Sequence, residues 1–134
     1  MAQGVPAATL ATNTRAYIQS WLDRDIGRFL GLLTPDVLVV ESYGPVYKGV
    51  DECRTWFETW HSPPANGIVT NWRIARLYCD EEKGAAFCDW DFECNYEGKL
   101  GGFLGASLFV FAGEKIAEVH EYKTERDQYR PYQR

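Results

Sequence analysis

From Phe87 to Tyr96 the chain alternates with scarcely a break. Cys88, Trp90, Phe92, Cys94 and Tyr96 fall on one side, and Asp89, Asp91, Glu93 and Asn95 on the other. A two-residue period predicts a strand, from Ala85 to Tyr96, with one covered face and one wet or partner-facing face. Ile68 to Asp80 before it, and Phe103 to Phe111 and Lys115 to about Glu125 after it, predict three more strands. Glu82-Lys83-Gly84, Glu97-Gly98-Lys99 and Gly113-Glu114 supply the turns between them.

The front half follows a helical period instead. Thr12, Asn13 or Thr14 can cap a helix running to about Asp23, with Tyr17 and Trp21, and Ile18 and Leu22, spaced four apart. A shorter helix starts at Asp25 and stops at Thr34-Pro35-Asp36, because proline cannot extend the hydrogen-bond ladder. Val37 to Tyr43 reads as a strand and, beyond Gly44-Pro45, Val46 to Lys48 as a short one. A third helix opens with Asp51 as its cap; Cys53, Trp56, Phe57 and Trp60 form its one-sided seam, and His61-Ser62-Pro63-Pro64 ends it. Helices first and long strands afterwards predict an α+β domain. Strands of about ten residues twist, so the antiparallel sheet should curl into a cone around the N-terminal helices and leave a hollow beneath them.

The length of 134 residues suits one domain, with its core from about residue 12 to 125 and terminal segments at 1–11 and 126–134. The first eleven residues lack a basic start and a continuous apolar run, which argues for a frayed end rather than a signal peptide. Net charge is −5 and the basic residues are scattered, which argues against nucleic acid; no apolar run is long enough for a membrane span. The four cysteines have no metal-ligand spacing, and Cys88 and Cys94 stand too far apart along one strand to bridge each other. Reduced thiols in a cytoplasmic protein are the expectation, with a disulfide through Cys53 or Cys79 as the alternative. His120 lies near Glu118 and Glu121, but strand alternation divides the three between two faces, so no metal site is expected. Aromatic residues reach 15%, high enough that some should line a cavity.

This order of elements resembles the nuclear transport factor 2-like superfamily, which includes ketosteroid isomerase and the SnoaL-type polyketide cyclases. The likeness spans about Thr14 to Lys123. It rests on the two-helix opening from Tyr17 to Asp36, on Lys48-Gly49-Val50-Asp51 at the entry to the third helix, and on the final hairpin around Phe109 to Ile116. The resemblance implies a cystatin-like α+β barrel. Since this fold hosts many activities, it implies no single function.

Aligned without a gap on ketosteroid isomerase, Tyr17 takes the place of the oxyanion-hole tyrosine and Glu41 that of the carboxylate base. Such a base removes a proton beside a carbonyl while the phenol steadies the enolate oxygen. Ser107 stands where the isomerase has a second, acidic oxyanion donor, which argues against steroid isomerisation itself. The residue patterns of limonene epoxide hydrolase and scytalone dehydratase are not evident. The same register turns Glu121 and Val119 inward and makes Trp56, Trp90, Phe92 and Cys88 walls of the hollow. Trp21, Trp60 and Trp72 are expected in the core. Each reading has a plain counterpart: Glu41 as a solvated strand end, Tyr17 as core, Ser107 as a satisfied small residue, and Glu121 turned outward by a one-residue slip.

Two functions follow. One is an enzyme that binds a small, partly apolar carbonyl compound and isomerises, cyclises or dehydrates it without a cofactor, using Glu41, Tyr17 and Glu121. The other is a non-catalytic ligand-binding or scaffold domain. The resemblance also implies a homodimer through the outer sheet face, where the acidic stripe of Asp89, Asp91 and Glu93 could meet Arg73 and Arg76 of a second subunit.

Overall fold

A computed structural model describes residues 4–133. In chain order the elements are α1 (Ala7–Leu22), α2 (Ile26–Gly31), β1 (Leu33–Val40), β2 (Val46–Lys48), α3 (Gly49–His61), β3 (Ile68–Asp80), β4 (Ala85–Tyr96), β5 (Lys99–Ala112) and β6 (Lys115–Thr124). The α+β cone expected from the pattern is present. Its six strands form one sheet in the order β2-β1-β6-β5-β4-β3. The sheet is not wholly antiparallel, because β1 and β6 run parallel. A parallel pair needs a long crossover, and α3 with β3 to β5 provides one.

Helix α1 begins five residues before the expected cap. Pro6 precedes it without a side-chain cap, and the Glu81 carboxylate, at the far end of β3, accepts the Ala7 N–H at 2.7 Å. A distant acid thus does the work of a local cap and also suits the positive end of the helix dipole. Leu10 is fully buried, so the expectation of a frayed start is corrected for residues 4–11; Met1 to Gln3 lie outside the described residues. Asp25 caps α2 as anticipated, accepting the Arg28 N–H at 3.0 Å. Asp51 does not cap α3: Lys48 is the N-cap, and its N–H donates to Glu52 Oε1 at 2.8 Å.

The structure also moves strand boundaries, ending β1 at Val40 rather than Tyr43. β1 starts at Leu33, with Pro35 tolerated inside a register shift between Leu33 and Leu38. β5 starts at Lys99, ahead of the first aromatic residue, because Gly101 and Gly102 pair through their backbones and carry no hydrophobic signal. On the outer face the acidic stripe finds partners within its own chain. Arg76 of β3 pairs with Asp89 across the ladder, and Arg126 pairs with Asp91. The four cysteines are free thiols.

The core sits where α1 crosses the sheet. Leu10, Tyr17, Phe29, Phe109, Ile116 and Val119 are fully buried there. The Tyr17 ring lies 5.5 Å from Phe29 and 5.2 Å from Phe109, centroid to centroid, in tilted and edge-on contact. Beyond this layer the sheet continues but α1 does not, and the space between β4, β5 and α3 stays open. No helix among the described residues is long and apolar enough to cross a membrane.

Candidate functional site

That open space is a cavity of about 490 Å³, within the usual range for small-molecule sites. Trp21 projects into it from α1, Trp56 and Trp60 from α3, Trp72 from β3, and Trp90 and Phe92 from β4. Trp56, Trp90 and Phe92 are therefore wall residues, as anticipated. Trp21 and Trp72 are buried in the core as expected and also border the cavity, while Trp60 is half-buried and stands in its wall. Gly105 lets Trp90 lie flat across β5: a Cβ there would come within 2.4 Å of the indole.

Two carboxyls face this apolar space. Val39 pairs with Val119 and Val40 with His120 across the β1–β6 ladder. Glu41 and Glu121 come next on each chain, and both line the cavity. Glu41 Oε1 accepts two hydrogen bonds, from the Tyr47 hydroxyl at 2.6 Å and the Tyr43 hydroxyl at 3.0 Å. Burial raises the Glu41 pKa, and the two phenols pull it back down. Water reaches Glu121 through the cleft mouth, yet protein surrounds its carboxyl. Burial first, and then the charge of Glu41, push its pKa up to about 8. The two carboxyls therefore differ in acidity: both are raised by burial, and Glu121, which also feels the charge of Glu41 and lacks the two phenols, is the one that holds its proton longer.

The other expected site residues lie behind the wall. Tyr17 is fully buried; the Trp21 indole N–H is directed at its hydroxyl, which has no other partner among the described residues. Burial, and then the nearby Glu121, raise its pKa well above that of a free phenol, so it stays neutral. Ser107 is also fully buried; it accepts the Trp90 indole N–H at 2.9 Å and thereby fixes that ring. Cys88 and Val119 are packed in the core, and burial pushes the Cys88 thiol up to about 12. The placement of Ser107, Cys88 and Val119 on the cavity surface is thus corrected. Each points inward as the alternation requires, but at a level of the cone that α1 fills.

Tyr43 and Tyr47 are site residues that the sequence reading missed. Their signal was available in the hairpin. Val39 pairs with Tyr47 and the Glu41 N–H bonds to the Pro45 carbonyl, so Tyr47 shares a face with Glu41 by strand alternation. Among the described residues, the N–H groups of two wall indoles, Trp56 and Trp72, have no partner, while that of Trp21 is directed at the Tyr17 hydroxyl. A second cavity of about 470 Å³ adjoins the first across Trp56 and Trp60, and carries Asp51 and Glu52.

The SnoaL-like domain family profile matches residues 14–119. No curated protein matches the chain. Among solved structures, a candidate polyketide cyclase of Xanthomonas campestris pv. campestris has a TM-score of 0.75 at 14% identity, covering 88% of this chain and 92% of that one. An LEH-like epoxide hydrolase of M. tuberculosis has a TM-score of 0.76 at 12% identity over 88% and 84% of the two chains. A Catenulispora acidiphila protein with a ketosteroid isomerase-like fold, in complex with trimethylamine, has a TM-score of 0.70 at 16% identity over 85% of each chain. At these identities the structural likeness establishes the fold alone.

Proposed function

The chain belongs to the SnoaL-like domain family, and on that premise we propose that its cleft binds a small, largely apolar carbonyl compound and moves a proton beside the carbonyl without a cofactor. The observation that carries this reading is the Glu41–Glu121 pair, two carboxyls that line one apolar cavity in unequal surroundings, one bonded by two phenols and the other enclosed by protein. Glu41, ionised, takes the proton from the carbon next to the carbonyl. Glu121, still protonated, gives its own proton to the carbonyl oxygen, and the product of this half is an enol. Return of a proton from Glu41 to a conjugated carbon, with Glu121 recovering the enol proton, restores both groups and leaves an isomer. Tyr17 is a positioning residue in this scheme: its neutral phenol lies behind Glu121 and adds no competing charge. Trp56, Trp90 and Phe92 shape the site, and Ser107 holds the Trp90 ring, while Cys88 and Val119 belong to the packed core.

The test is deuterium exchange at the α-carbons of small cyclic ketones, followed by NMR in heavy water. Glu41→Gln, which keeps the side chain's shape, should slow exchange by about 10²–10⁴-fold, the usual worth of a general base. Equal rates in the two proteins would remove Glu41 from the chemistry. One observation favours a second reading, that of a pure binding domain. Tyr43 and Tyr47 both donate to the same oxygen of Glu41, which steadies the carboxylate and weakens it as a base. Binding of ketones without any exchange would select that reading.

A further inference from the structure

An uncharged apolar ketone would leave the charge of this cleft unanswered. All five tryptophans of the chain line it. Among the described residues the carboxyls on its walls are Glu41 and Glu121, of which burial and the charge of Glu41 favour the neutral form of Glu121, and those on the walls of the adjoining cavity are Asp51 and Glu52. Neither wall, among the described residues, carries a lysine, arginine or histidine. Aromatic faces present negative potential, and carboxylates of one sign in a water-poor recess strengthen it, so the site attracts cations and repels anions. One ring of the cleft already shows this preference: Lys123 Nζ lies 5.3 Å from the centroid of Phe103, with the lysine itself outside the cavity lining.

A second observation points to a ligand independently of charge. Trp72 is 9% exposed, lines the cavity and has an indole N–H without a partner among the described residues. A buried donor left unpaired is costly, so it calls for an acceptor oxygen brought in by whatever fills the space. Resting on the carbonyl reading above, we propose that the ligand is an alkylammonium compound bearing a carbonyl oxygen. Its cationic head lies against the tryptophan faces within the field of Glu41. Its oxygen accepts from Glu121 on one lone pair and from an indole N–H on the other.

The experiment compares two esters of one shape and different charge, acetylcholine and its neutral carbon analogue 3,3-dimethylbutyl acetate. Each is titrated calorimetrically, with tryptophan fluorescence as a second readout, because every indole of the chain faces the cleft. Acetylcholine should bind at least about tenfold more tightly than the neutral ester. That preference should shrink in Glu41→Gln, a variant whose folding is checked by circular dichroism. Should Glu41→Gln not fold, lowering the preference by added salt in the natural chain tests the same field. Equal or tighter binding of the neutral ester overturns the proposal, as does failure of both esters to bind at millimolar concentration. The two readings fail separately. Ketone exchange that depends on Glu41, without a preference for the cation, sinks only the ammonium inference. A preference for the cation without any ketone exchange sinks the proton transfer and leaves the binding site standing.

Discussion

Val119 and Glu121 lie on the same face of β6, two residues apart, and meet opposite surroundings. Val119 is fully buried in the core, whereas Glu121 opens on the cavity. The other long strands show the same change. On β4, Cys88 is sealed in the core, while Trp90, Phe92 and Cys94 line the hollow. On β5, Ser107 and Phe109 are sealed, while Phe103 lines the hollow. One face of one sheet therefore serves two purposes, and the boundary lies where helix cover runs out. Burial alone stabilises the packed end; the hollow end trades packing for unpaired indoles and two carboxyls pressed together. A sheet that curls more tightly than one helix can fill yields both a core and a site from the same alternation.

Removing matched rings from the two ends tests that contrast most strongly. Phe109→Ala should destabilise the fold by about 3–5 kcal/mol, as expected for deletion of a fully packed ring. Phe103→Ala, on the same strand beside empty space, should cost clearly less. Urea denaturation measures both, and equal losses would mean that the hollow end is as solidly packed as the core. Next come the glycines of β5. Gly105→Ala drives a Cβ to within 2.4 Å of the Trp90 ring and of the Tyr122 carbonyl, and should cost about 1–3 kcal/mol. Gly101→Ala meets nothing within 4 Å and should be close to neutral. A neutral Gly105→Ala would show that Trp90 is free to swing away.

The carboxyl pair predicts a dependence on pH. In the folded chain Glu121 keeps its proton up to about pH 8, against an ordinary value of 4.5. Between those values the folded state binds the extra proton, so this group's stability contribution is full at the acid end and is lost as pH rises toward 8. The loss is on the order of a few kcal/mol. Glu121→Gln should abolish that slope, read as denaturation midpoints from pH 5 to 9. The groups facing Glu121 are Glu41, the neutral Tyr17 and the buried Cys88, and the last two stay uncharged through the window. A slope unchanged in Glu121→Gln would assign it to other residues. The smallest effect is expected at the phenols. Tyr47→Phe and Tyr43→Phe each remove a donor to Glu41, so each should raise its pKa in an NMR titration, the former more because its bond is the shorter, 2.6 against 3.0 Å. Reversed order would mean that the exposed Tyr43 controls the base.

Much of this was legible in the residues themselves. The bounds of β3 and β4 follow from alternation between glycine-bearing turns, since a local period of two needs no long-range information. Asp25 was readable as a cap for the same reason. Glu41 and Glu121 emerged as a pair because family register places both inward, and the β1–β6 ladder sets them next to each other. The start of α1 was not legible, because its N-terminal partner is Glu81, 74 residues away. Nor was the division of the tryptophans: helical spacing puts Trp60 on the covered side of α3 but cannot say that the covered space is empty.

The order of helices and strands, the inward and outward faces and the identity of the acidic residues are thus properties of the chain taken alone, because they depend on neighbours a few positions apart. Whether an inward face becomes core or cavity depends on how far α1 reaches over a curved sheet. So do the protonation of Glu121 and the burial of Tyr17, Ser107 and Cys88. Those are matters of distance between segments remote in sequence, and of the water that remains between them, so only the folded arrangement decides them.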